Sequence, residues 1–107
     1  MVEESNYVLV FITTDSHESA ELISRSLLEH KQAACISVIP GVDSSFWWQG
    51  KIENARECLL VVKTKAARLD ELIRSVKMYH RDEVPEIIAI PIIGGNPDYL
   101  KWIDETV

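Results

Sequence analysis

Apolar residues run consecutively through positions 8–12, 58–62 and 87–90, where a sheet wetted on one face would alternate them with polar ones. Residues 7–12, from Tyr7 to Ile12, are mostly β-branched or aromatic and predict a first strand. Asp15 followed by Glu18 resembles a capping box. Ala20, Ile23 and Leu27 then recur at helical spacing, predicting a helix over about residues 16–30. Residues 34–39 form a second strand. Pro40-Gly41 should bend or bulge it rather than end it, because Phe46, Trp47 and Trp48 resume the strand pattern. Gln49-Gly50 supplies a tight turn and residues 58–62 bring the chain back. The hairpin arms are then roughly 14 residues each, against the usual five or six. Leu69, Leu72, Ile73 and Val76 mark a second helix, and residues 86–90 a last strand that Pro91 limits on one edge. Asn96 as N-cap and Pro97 at the first helical position open a short terminal helix, with Tyr99, Trp102 and Ile103 on one face.

The order is β-α-β-β-α-β plus a terminal helix, an α+β chain with the split βαβ arrangement of ferredoxin-like folds. No linker or repeat interrupts it, so residues 1–107 read as a single domain. Right-handed crossovers place the two main helices on one face of the sheet. The consecutive apolar runs ask for burial on both faces, and the helices cover only one. The chain therefore reads as an obligate oligomer, with the long Trp-bearing hairpin as an arm that grips a neighbour. Phe46, Trp47 and Trp48 are its interface aromatics.

Composition narrows the partners. The net charge is −6 with no basic cluster, which argues against nucleic acid and against an anionic membrane surface. The longest apolar runs fall far short of the ~20 residues of a bilayer span. The start of the chain, Met1-Val2-Glu3-Glu4-Ser5-Asn6, is acidic and polar, unlike a signal peptide, so a cytoplasmic location is expected. Cys35 and Cys58 sit inside apolar runs and read as buried thiols rather than ligands.

His80, Asp82, Glu83 and Glu86 form the one dense group of possible metal ligands, imidazole and carboxylate chemistry suited to copper, zinc or nickel. Their spacing matches no closed structural site, and a solvated loop ending in a helix-terminal histidine is the plainer reading. His80 also extends the stripe from Leu69 to Val76, as a partly buried structural histidine would. His17 and His30 sit at opposite ends of the first helix, His30 favourably placed against its dipole. Lys63 closes an apolar strand, with Thr64 read as the start of a helix. Its side chain should point with Leu59 and Val61, toward an anion or an inter-subunit pair with Glu53, Glu57 or Glu86. No GxSxG, HExxH or P-loop is present, and Thr13-Thr14-Asp15-Ser16 lacks the arginine of a phosphate-binding loop, so no enzyme is expected.

Five segments resemble the CutA family when taken together and in order. They are Gln32-Ala33-Ala34-Cys35; Ser44 to Phe46 leading into Trp48-Gln49-Gly50-Lys51-Ile52; Lys63-Thr64; Glu83-Val84-Pro85-Glu86; and Gly95-Asn96 with Tyr99-Leu100 and Trp102. The resemblance spans residues 7–106 and implies a ferredoxin-like homotrimer whose sheets pack against one another. It also implies a role in divalent-cation tolerance, with copper or another divalent cation as the candidate ligand and no required cofactor. Of the copper set proposed in that family, Glu86 matches the glutamate, Ile12 stands at the cysteine, and Tyr79 stands at the histidine with His80 beside it. The family's His-Pro-Tyr-Glu run is here His80-Arg81-Asp82-Glu83. The expected function is a trimeric response to metal ions with weak copper binding, centred on His80, Glu83 and Glu86. Two other readings stand beside it: a PII-like sensor with its ligand in an inter-subunit cleft, and a structural trimer that anchors a protein partner.

Overall fold

A computed structural model describes residues 5–107; residues 1–4, which carry most of the acidic start, lie outside the described residues. The order is β1 (Tyr7–Thr14), α1 (His17–Glu29), β2 (Cys35–Trp48), β3 (Lys51–Lys65), α2 (Leu69–Tyr79), β4 (Ile87–Pro91) and α3 (Pro97–Thr106). A single turn of 3₁₀ helix, Ala66–Arg68, leads into α2. The strands lie in the order β2-β3-β1-β4, every neighbouring pair antiparallel. This is the split βαβ topology expected from the element order.

The alternation of side chains along a strand divides the sheet into two faces. Val8, Val10 and Ile12 of β1 and Cys58, Leu60 and Val62 of β3 are buried beneath Ala20, Ile23 and Leu27 of α1 and Leu72 and Val76 of α2. Thr64 sits on the same face, its hydroxyl donating to the Gln32 carbonyl at 2.7 Å. It belongs to β3 rather than to a helix start, because the strand runs on to Lys65. The opposite face carries Leu9, Phe11, Leu59 and Val61, which are only half-buried, together with exposed Ile39, Ile88 and Ile90. α3 covers one end of that face, where Ile103, Val107 and Ala34 pack with Tyr7 and Leu100.

Local chemistry explains the boundaries. The cap of α1 is Ser16, whose hydroxyl accepts from the Ser19 N–H at 3.1 Å, and not Asp15, which faces Arg81 at 3.7 Å. Asn96 caps α3 by accepting from the Asp98 N–H, with Pro97 at the first helical position. Gln49 and Gly50 both have positive φ, at 50° and 78°, which gives the two-residue turn of a primed hairpin. The register slips between Ile39 and Val42. That bulge turns on Gly41 at φ 71°, where a Cβ would lie 3.2 Å from the Arg56 guanidinium.

Candidate functional site

β1 stops at Thr14, opposite Cys58, while β2 and β3 continue past it as a two-stranded arm. A cleft of about 1030 Å³ opens between this arm and the 81–86 segment that leads into β4. By register, Ser44, Phe46, Trp48, Glu53 and Glu57 lie on one side of the arm. Arg81, Asp82, Glu83 and Glu86 form the other wall, and Thr13 lies between the two. The lining of the cleft thus includes five acidic residues, Glu53, Glu57, Asp82, Glu83 and Glu86, and one arginine, Arg81, whose guanidinium pairs with Asp15. Such a surface attracts cations and repels anions.

The residues singled out from sequence are only partly brought together. Phe46, Trp47, Trp48, Glu83 and Glu86 all line the cleft. Lys63 does not. It lies on the open face of the sheet opposite Leu9, its Nζ donating to Ser37 Oγ at 2.7 Å and standing 3.9 Å from Cys35 Sγ. It does point with Leu59 and Val61, but within the chain its partner is a hydroxyl rather than Glu53, Glu57 or Glu86.

His80 is the C-cap of α2 and stands behind the acidic wall. Its Nε2 donates to the Thr13 carbonyl at 2.6 Å and its Nδ1 accepts from the Asp82 N–H at 3.1 Å. Among the described residues no three His, Cys, Asp or Glu side chains converge closely enough to hold a metal ion. The expected set of His80, Glu83 and Glu86 is therefore not assembled within one chain, because the imidazole is spent on backbone groups. Ile12, at the position where the family resemblance places a thiolate, is fully buried on the helix face, away from Thr13 and the cleft.

Three features of the site escaped the sequence reading as parts of a cleft. Glu53 and Glu57 share strand parity with Leu59 and Val61, so the period of two was the signal that put them on this face. The Arg81–Asp15 pair and the Thr13 carbonyl depend on a tertiary meeting of two loops that no local pattern encodes.

Comparison with known proteins agrees with this architecture. A family model described as CutA1 divalent ion tolerance protein matches residues 8–106. The divalent-cation tolerance protein CutA of Archaeoglobus fulgidus is 47% identical over 98 residues, covering 92% of this chain and 95% of that protein. The chloroplastic CutA 1 of Oryza sativa is 41% identical over 96 residues, 90% of this chain. The chain spans about half the length of the rice and Arabidopsis thaliana relatives, 54% and 53% respectively. Among solved structures, Cut A1 of Thermus thermophilus superposes with a TM-score of 0.92 at 41% identity, covering 94% of this chain and 97% of that one. CutA1 of Oryza sativa gives 0.92 at 38% identity, covering 95% and 94%. The family model and these relatives cover nearly the whole of the fold described above, and the chain belongs to the CutA1 divalent ion tolerance family.

Proposed function

We propose that this protein acts as a homotrimer in the cytoplasmic response to divalent cations, meeting the ion loosely through carboxylates at the cleft beside the hairpin. The observation that carries this reading is the charge of the cleft: five acidic residues and one arginine line it, and among the described residues there is no converging donor set of a dedicated carrier. Spread carboxylates attract a divalent ion by field and share it with water. Assembly is supported by the apolar open face, where Ile39, Ile88 and Ile90 are each about half exposed. A second copy covers that face, with the Lys63–Ser37 hydrogen bond as the polar contact it takes in. Phe46, Trp47, Trp48 and Lys63 join it as interface residues, so the cleft lies at the border between copies. Both cysteines are free thiols, in keeping with a reducing compartment.

Calorimetric titration with copper, zinc and nickel tests the reading, on the wild type and on Glu83→Gln with Glu86→Gln. Weak binding to all three ions is expected, with copper leading, and several-fold weaker in the double variant. Binding that the double variant leaves unchanged would remove the cleft from the cation response.

A further inference from the structure

The copper set that the family resemblance suggests fails on the residues of this chain. Ile12 offers no donor and is fully buried. His80 offers none that is free, and its two hydrogen bonds say more than that.

A carbonyl oxygen can only accept, so the Nε2 that meets Thr13 must carry a hydrogen. A backbone N–H can only donate, so the Nδ1 that meets Asp82 must present its lone pair. The two bonds together demand the neutral Nε2–H tautomer. We infer that His80 is a positioning residue, not a metal ligand: in this tautomer it clasps the 81–86 segment to the end of β1 and so holds the acidic wall of the cleft opposite the hairpin.

The local geometry supports the clasp. A side chain accepting from the N–H two residues on is the device by which Asx residues fix a turn, and here an imidazole performs it at the exit of α2. The other ring nitrogen reaches across to β1, 67 positions away in sequence. Arg81 ties the same segment to Asp15 at 3.7 Å, just beyond the end of β1. A metal bound at either nitrogen of His80 must displace one of these bonds. The more accessible imidazole is that of His17, whose side chain is 63% exposed and whose Nδ1 lies 3.7 Å from Glu21. His30 has its Nδ1 against the Ser26 carbonyl at 2.8 Å.

The consequence for cation response rests on the cleft reading, but the tautomer does not, and the experiment separates the two. Long-range proton–nitrogen spectra of the ¹⁵N-labelled full chain report the imidazole tautomers directly. His80 is expected as Nε2–H; the Nδ1–H form overturns the inference. Adding diamagnetic zinc to the same sample should leave both His80 nitrogens at the shifts of the Nε2–H form, even where the neighbouring carboxylates hold the ion. A zinc-induced move of either His80 nitrogen to the shift of a ligating one overturns it equally. In His80→Ala the exchange protection of the Asp82 amide should fall about fivefold to tenfold, the worth of one hydrogen bond. His80→Asn, whose carbonyl can accept the same N–H, should recover most of it, and copper affinity, weakened with the wall in the alanine variant, should recover alongside it. Protection that Asn fails to restore would reduce His80 to packing. The wild-type spectra decide the question even where the alanine variant does not fold. Failure of the cleft reading looks different: the double glutamine variant binds cations as before while the His80 tautomer stands.

Discussion

Leu60 and Val61 are neighbours on one strand, both aliphatic, and they live in different environments. Leu60 is fully buried under α1 and α2, with Val10, Ile12 and Val62 around it on the same face. Val61 faces the other way, half-buried beside Leu9, Phe11 and Leu59, with exposed Ile88 and Ile90 at the edge of the sheet. Both faces carry a run of aliphatic side chains at their centre; what differs is the cover. One face finishes its burial within the chain, while the other keeps an apolar surface that α3 reaches only at one end. Folding is written on one side of these strands and the proposed assembly on the other, and substitutions one residue apart should separate them.

The largest effect is expected from Val61→Asp. A carboxylate placed against apolar neighbours in each copy leaves a buried charge without a partner, which costs several kcal/mol at every interface. Light scattering should show three chain masses for the wild type and one for the variant, with far-ultraviolet dichroism preserved. A variant that remains fully assembled would show that this face is not where copies meet. Leu60→Ala is the converse test. Truncating a fully buried leucine costs about 2–5 kcal/mol through lost transfer energy and a cavity. Denaturant unfolding should show that loss while the folded protein keeps the oligomeric state of the wild type. If Leu60→Ala dissociated the assembly at no cost to the fold, the assignment of the two faces would be reversed.

Much of this contrast was legible in the residues themselves. Consecutive apolar positions in β1 and β3 announced two faces in need of cover, and the period of Leu69, Leu72, Ile73 and Val76 announced the helix for one of them. Gln49-Gly50 and Asn96-Pro97 carry their turn and cap chemistry locally, so they were readable locally. Legibility failed where a residue's role is set by a distant partner. Asp15 looked like a cap, yet Ser16 takes that place and Asp15 faces Arg81. Thr64 looked like a helix start, but the strand persists through its pairing with Val8 of β1, and its hydroxyl finds the Gln32 carbonyl in the core. His80 stood among carboxylates in sequence, where a candidate ligand, a helix-end residue of a solvated loop and a partly buried structural histidine all stayed open. Its partners are backbone groups, one of them contributed by β1, and backbone groups leave no compositional trace. The cleft was half-readable for the same reason: its aromatic residues are contiguous, whereas its carboxylates come from β3 and from the 81–86 segment, which meet only in the fold.

The smallest expected effect concerns the one end of the open face that the chain does cover for itself. Tyr7 on β1 donates its hydroxyl to Asp104 on α3, and Asp104 also stands 3.9 Å from Lys65 Nζ. The hydrogen bond to Asp104 raises the Tyr7 pKa above its ordinary 10.0, with desolvation and the carboxylate's charge acting in the same direction. Tyr99 on α3 is raised too, by burial first and then by its hydrogen bond with Cys35. A folded-state pKa raised above the unfolded value stabilises the neutral phenol. That contribution is complete below the unfolded pKa and is lost as pH climbs through the raised one. The seat of α3 should therefore loosen only above about pH 10, with no change through neutral pH. Exchange of the Ile103 amide, corrected for its intrinsic pH dependence, reports that loosening. It should rise more steeply in the wild type than in Tyr7→Phe, which has no phenol to ionise at that position. Identical slopes would mean that the Tyr7–Asp104 bond does not hold α3 down, and that the apolar contacts of Ile103 and Val107 with Ala34 alone cover this end of the sheet.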